Sequence, residues 1–208
     1  MNSKKYFNAI ANEWNGLSRT YFKEELRDKV IDKLDLKNKV VADLGAGTGF
    51  ISLKASRDAS IVFSLDLSKN MLRELSNEIK TKEIKNIYPI KCNVEKIPLF
   101  DESVDIVFMN MALHHTNHPN IVLKEISRIL KKGGKVIITD VQKHYSLWAR
   151  EEMFDVWLGF ENKQLEKWYK DAGFIDISIE DTGLKAIGES SFGEKIEVEI
   201  FIAEGTKN

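Results

Sequence analysis

The segment Asp43-Leu44-Gly45-Ala46-Gly47-Thr48-Gly49-Phe50 has the residue types of a ligand cradle: β-formers from Val40 to Leu44 run straight into three glycines at alternate positions, and a helical pattern follows. At the carboxyl end of a parallel strand, glycines let the main chain approach a ligand where a Cβ would collide. The spacing departs from the dinucleotide fingerprint G-x-G-x-x-G, which would require glycine where Phe50 stands. Asp66 lies twenty-one residues beyond Gly45, at the end of the next strand, placed to accept hydrogen bonds from the two hydroxyls of a ribose. Hydrogen bonds to a charged group are worth about 1.5–3 kcal/mol, roughly one to two orders of magnitude in affinity. A nucleoside ligand is expected.

The elements that must hold these residues follow a βαβ grammar. Val40 to Leu44 reads as strand, Phe50 to Ser56 as helix, Ile61 to Asp66 as strand and Ser68 to Thr81 as helix. In the second helix Met71, Leu72, Leu75 and Ile79 share one face and Ser68 supplies the N-cap. A third strand, Ile87 to Asn93, contains Pro89, which cannot donate to a central ladder and so predicts a sheet edge. Val104 to Met109 is a nearly continuous apolar strand, and Ile121 to Leu130, after Pro119, is helical. Lys131 and Lys132 read as the cationic last turn of that helix, ended by Gly133 and Gly134, before a strand from Lys135 to Asp140. Helices over Ser146 to Trp157 and Lys163 to Ala172 precede closing strands at Phe174 to Ile179 and Ile196 to Ala203, the last an antiparallel return. Upstream, Phe22, Leu26, Val30 and Leu34 have helical spacing, and Tyr6, Phe7, Trp14 and Tyr21 make an aromatic start suited to a lid or cap. One domain over 1–208 is expected, with a cap at 1–37, a ligand-binding core at 38–140 and substrate-side helices and closing strands at 141–208.

Thirty-one Lys and Arg against thirty-two Asp and Glu leave a net charge of −1, so nothing favours a phosphate backbone and nucleic acid is not an expected partner. With 43% hydrophobic and 30% charged residues and no apolar run near the ~20 that span a bilayer, no membrane span is expected. The single cysteine, Cys92, forms no internal disulfide and reads as a packed small hydrophobe. Together with the lack of an apolar signal core in Met1 to Gly16, it points to a cytoplasmic protein.

Several further segments extend the pattern: Asn93-Val94-Glu95-Lys96-Ile97-Pro98-Leu99, then Asp101 to Val107, Leu113-His114-His115 and Leu130-Lys131-Lys132-Gly133-Gly134. In order and spacing, with the glycine bend and Asp66, these resemble the class I S-adenosylmethionine-dependent methyltransferases over about Val40 to Asp140, in particular the small-molecule branch of ubiquinone and menaquinone methyltransferases (methyltransferase domain 11-like). Trp148 to Glu152 with Trp157-Leu158-Gly159-Phe160 also resembles methyltransferase domains joined to ArsR-type regulators. The resemblance implies a Rossmann-like, doubly wound α/β sheet of seven strands with the last antiparallel. It also implies methyl transfer from S-adenosylmethionine, leaving S-adenosylhomocysteine, to a small-molecule acceptor. Carried over residue by residue, Asp43, Gly45 and Gly47 would line the methionine and ribose part. Asp66 would hold the ribose, Leu67 would lie against the adenine, Asn93 and Val94 would meet the adenine edge, and Met109 and Asn110 would offer main-chain groups to the amino-acid end. Most relatives carry Asp where this chain has Asn93, whose amide oxygen still accepts from an adenine amino group.

Methyl transfer from a sulfonium is an in-line displacement in which positioning and water exclusion dominate. An acceptor with an acidic proton would call for a base, and His114 is the first choice among His114, His115 and His144; its alternative role is to fix loop geometry. His144 and Trp148, near Glu151 and Glu152 beyond the fifth strand, would shape an acceptor pocket. One imidazole beside helix-borne acids is common by chance, and no metal is expected. Two other readings share the cradle: a nicotinamide-dependent oxidoreductase, which Phe50 opposes, and a non-catalytic nucleoside-binding protein.

Overall fold

The computed structural model describes residues 3–14, 16 and 23–208. Strands β1 (Val40–Leu44), β2 (Ile61–Asp66), β3 (Ile87–Lys91), β4 (Val104–Asn110), β5 (Leu130–Val141), β6 (Phe174–Glu189) and β7 (Lys195–Lys207) form a seven-stranded sheet in the order β3-β2-β1-β4-β5-β7-β6. The first five strands are parallel to their neighbours, and β7 runs antiparallel to both β5 and β6. From β1 the chain winds outward to β2 and β3, then returns to β4 on the other side. The crevice of this topology therefore opens where β1 and β4 end. Pro89 pairs with Ser64 on the edge strand, as the missing donor requires.

Alternate strand residues face opposite layers. Ala42, Leu44, Val107 and Met109 pack with α5 (Pro119–Ile129) and α7 (Asn162–Asp171) through Val122, Ile126, Leu165 and Tyr169. Val41, Val62, Ile106 and Phe108 pack on the other side with α2 (Glu24–Ile31), α3 (Ser52–Ala55) and α4 (Lys69–Thr81) through Val30, Ala55, Leu72 and Leu75. Strands covered on both faces read as continuous apolar runs, which is why β4 carries no polar alternation. Ser68 caps α4 by accepting from the Met71 N–H at 3.2 Å. Among the described residues, no helix is long and apolar enough to cross a membrane.

Several boundaries differ from the sequence reading. The first crossover helix is the short α3, because Phe50 and Ile51 belong to the turn. Lys131 and Lys132 are not a helical turn: α5 stops at Ile129, Leu130 is already extended and paired with Val104, and Lys131 Nζ meets Asp105 Oδ1 at 3.0 Å. The helix expected through Trp157 ends as α6 (Leu147–Glu152), where the chain turns through a left-handed Phe154 at φ 61°. The closing hairpin is much longer than its apolar signal, since antiparallel pairing carries the exposed, polar residues of β6 across two register shifts. At the N-terminus α1 (Ser3–Ile10) carries Tyr6 and Phe7, and Leu26 and Val30 are buried in α2. Tyr21 and Phe22 lie outside the described residues.

Candidate active site

The bend after β1 is a tight main-chain turn anchored to β2: the Gly45 and Ala46 N–H groups donate to the Leu65 carbonyl at 2.8 and 3.0 Å. Gly45 has φ 70°, and a Cβ there would lie 2.4 Å from the Ala112 side chain, so the loops after β1 and β4 touch only because that Cβ is missing. Gly49, at φ 99°, admits Leu75 of α4 to within 2.5 Å of where its Cβ would be. Asp66 ties the bend to α4: Oδ2 accepts from the Gly47 N–H at 2.8 Å and Oδ1 from the Ser68 N–H at 2.7 Å. Burial raises its pKa against these bonds, and each oxygen keeps a further lone pair.

A cleft of about 140 Å³ lies beside this carboxylate, and Gly45, Asp66, Leu67, Asn93, Val94 and Met109 all line it. Six of the nine residues expected at the cofactor thus meet in one place. Leu67 is 42% exposed there, an apolar face offered to solvent. Asn93 Oδ1 accepts from the Glu95 N–H at 3.0 Å, closing an Asx turn. Gly47 stands at the edge of the group, facing the Trp14 indole.

Asp43 differs from expectation, and the Asn110 side chain is engaged away from the cleft. Asp43 is buried and its Oδ2 accepts from the Ser52 hydroxyl and from the Ser52 N–H at 3.0 Å, so it anchors the start of α3 rather than lining the cleft. Burial pushes its carboxyl up to about 7 against those bonds. Asn110 turns its amide oxygen to the Thr139 hydroxyl at 2.7 Å and links β4 to β5. Helix α1 covers the cleft: Asn8 Oδ1 accepts from the Ser68 hydroxyl at 2.8 Å, and Ser3, Lys4 and Phe7 join the lining.

A second cavity, about 70 Å³, opens behind the first and includes His114, His144 and Trp148, the expected catalytic and substrate residues. The 3-10 turn Leu113–His115 carries His114, whose Nδ1 meets Asp140 Oδ1 at 2.6 Å while Asp140 Oδ2 accepts the His114 N–H at 3.2 Å. The turn after α6 is fastened to the same residue, with the Val156 and Trp157 N–H groups donating to the His114 carbonyl at 3.1 and 3.0 Å. This brings Asp155 Oδ1 to 3.7 Å from His114 Nε2 and 3.5 Å from His115 Nδ1. Burial opposes charge on His114, but Asp140 and Asp155 outweigh it and raise its pKa to about 9. Burial pushes Asp155 up to about 6 and, with the His114 charge, holds His115 well below the usual imidazole value. Asp140, Asp155 and the part played by His115 are absent from the sequence reading, which placed Asp155 inside a helix.

His115 lines both cavities and forms the wall between them. By contrast, His118 is an exposed partner of Glu95, and burial pushes the Cys92 thiol up to about 12, so neither joins the site. A larger open depression beside α3 and α4 holds Arg27, Lys54 and Lys82, all paired with acids, and lies outside this group.

Residues 42–138 match the methyltransferase-domain family, a span that runs from β1 into β5. This stretch is similar to that domain throughout its parallel core. The cleft has features that fit an S-adenosylmethionine donor: Asp66 offers spare lone pairs for a ribose, Leu67 an apolar face for a base, and the bend a close main-chain approach. The nicotinamide reading is not favoured, in keeping with Phe50. The chain is 27% identical over 176 residues to the 2-methyl-6-phytyl-1,4-hydroquinone methyltransferase of Spinacia oleracea, covering 82% of this chain and 50% of that protein. It is 29% identical to the demethylmenaquinone methyltransferase of Lactococcus lactis, covering 86% of this chain and 75% of that protein. The chain thus spans half the length of the first of these relatives and three quarters of the second. A solved S-adenosylmethionine-dependent methyltransferase from Aquifex aeolicus shares the fold, with a TM-score of 0.71 at 21% identity over 97% of this chain and 98% of that one.

Proposed function

We propose that this chain moves the sulfonium methyl group of S-adenosylmethionine onto a small, largely apolar acceptor of the hydroquinone type, in the cytoplasm. The reading rests on the two cavities sharing His115. Asp66, Leu67, Asn93 and Val94, with the main chain at Gly45, Gly47, Met109 and Asn110, hold the donor in the first. Trp148, Met153, Val141, Ile196 and Val198 give the second a largely apolar lining, which His114, His115, His144 and Asp155 share. An aromatic ring bearing an ionisable hydroxyl suits that lining, and both relatives named above are quinone-type methyltransferases by name.

An in-line displacement needs the acceptor atom close to the methyl carbon and little water between them. The apolar wall and α1 supply the exclusion. His114 is tied to Asp140 at 2.6 Å and stands 3.7 Å from Asp155, so it serves the acceptor as a member of the His114–His115–Asp155 group rather than as a lone base. Calorimetry should show S-adenosylhomocysteine binding at micromolar levels and no NAD binding. A panel of hydroquinones and other phenols with labelled donor should then give turnover that His114→Ala lowers more than it lowers donor affinity. Donor binding without turnover on any acceptor would favour a nucleoside-binding protein.

A further inference from the structure

Among the described residues, the buried side-chain polar atoms without a hydrogen-bond partner are His115 Nδ1, Ser146 Oγ, Trp148 Nε1 and Asp155 Oδ1. Three of the four belong to the lining of the second cavity. Leaving such atoms unpaired is costly, so their gathering at one place points to a ligand. Two of them, with His114 Nε2, form a group whose ligand atoms all lie within 4.8 Å of one another. The separations from Asp155 Oδ1, 3.7 Å to His114 Nε2 and 3.5 Å to His115 Nδ1, are close to the edges of a tetrahedron. Such edges measure about 3.4 Å when metal–ligand bonds are about 2.1 Å.

We propose that His114 Nε2, His115 Nδ1 and Asp155 Oδ1 hold a divalent first-row transition cation at the wall between the donor cleft and the acceptor cavity. Two imidazoles and one carboxylate suit zinc, cobalt or iron better than the oxygen-seeking magnesium or calcium. The supporting shell is in place. Asp140 takes the other nitrogen of His114 at 2.6 Å, the carboxylate–histidine arrangement that orients a metal-bound imidazole. The His114 carbonyl anchors the turn that delivers Asp155. With three protein ligands the remaining position faces the acceptor cavity. An acceptor hydroxyl bound there would be more acidic and would release its proton to water, so the reaction would need no imidazole base.

The site is tested on the untagged full chain, stripped with chelator and titrated with Zn²⁺ by calorimetry and with Co²⁺ by visible absorption. One equivalent should bind, with the ligand-field bands of a four- or five-coordinate cobalt. His115→Ala and Asp155→Asn should each weaken binding at least about tenfold, and Asp140→Asn about ten- to hundredfold. Circular dichroism and melting of each variant separate lost binding from lost fold. If a variant fails to fold, the cobalt spectrum of the unaltered protein still decides. No stoichiometric binding, a spectrum of hexaaqua cobalt, or affinity unchanged in folded His115→Ala would each overturn the site. S-adenosylhomocysteine binding, measured on the same samples, keeps a failure of the donor reading distinct from a failure of the metal site.

Discussion

Asp66 combines two demands that rarely fall on one side chain. Its oxygens already accept from Gly47 and Ser68, which fixes the carboxylate's orientation before any ribose arrives. Replacing it with alanine removes both the charged acceptor and the tie between the bend and α4. Asp66→Ala should therefore weaken S-adenosylhomocysteine binding about ten- to hundredfold by calorimetry, with the circular dichroism spectrum retained. Asp43 presents the opposite case, an acid kept for structure. It is held by Ser52, with Ser64 next in the hydroxyl chain and Asp66 the nearby like charge. Its carboxyl, pushed up to about 7, binds a proton more tightly in the folded chain than in the unfolded one. Stability from this group is thus fullest below the usual carboxylate range and declines as the pH rises toward about 7, levelling off above. Asp43→Asn keeps an acceptor for Ser52 and cannot ionise. Melting temperatures recorded from pH 4 to pH 8 should fall less for this variant than for the parent, and parallel curves would contradict the assignment.

At the scale of elements, the cradle depends on how α1 and α4 close on the bend. Gly49 lets α4 settle against it, and a methyl group there would both overlap Leu75 and occupy a left-handed conformation. Gly49→Ala should cost about 1–3 kcal/mol in denaturant unfolding. Helix α1 is pinned where Asn8 serves Ser68 and Asn70 at the head of α4. Its aromatic residue Phe7, 4.9 Å from His115 and 5.2 Å from Trp14, joins the lining of the cleft. Asn8→Ala should leave melting nearly unchanged, because α1 buries little, yet weaken donor binding several-fold through a faster dissociation rate seen in stopped flow.

For the whole molecule, the cleft is lined by residues that follow or end β1, β2, β3 and β4, so a donor bound there should stabilise the folded chain as a unit. At one hundred times its dissociation constant a ligand adds about 2.7 kcal/mol. For a chain of this length that corresponds to roughly 5–10 °C in melting temperature. S-adenosylhomocysteine should produce that shift in a thermal scan, and NAD at the same concentration should produce none.

The nucleoside cradle was legible in the sequence because its parts are local. A strand, its glycine turn and the acid ending the next strand carry their own spacing, and a parallel sheet places strand ends together without further information. The nearly continuous apolar run from Val104 to Met109 likewise announced a strand covered on both faces. The acceptor side was not local. Asp140 leaves β5, His114 and His115 sit in a turn after β4, and Asp155 returns from beyond α6 only because Phe154 adopts a left-handed turn. No short-range periodicity encodes that turn, and a continuous helix would have carried Asp155 away. Convergence of three segments is a product of packing and long-range hydrogen bonding, so the tertiary structure alone decided which acids face the histidines.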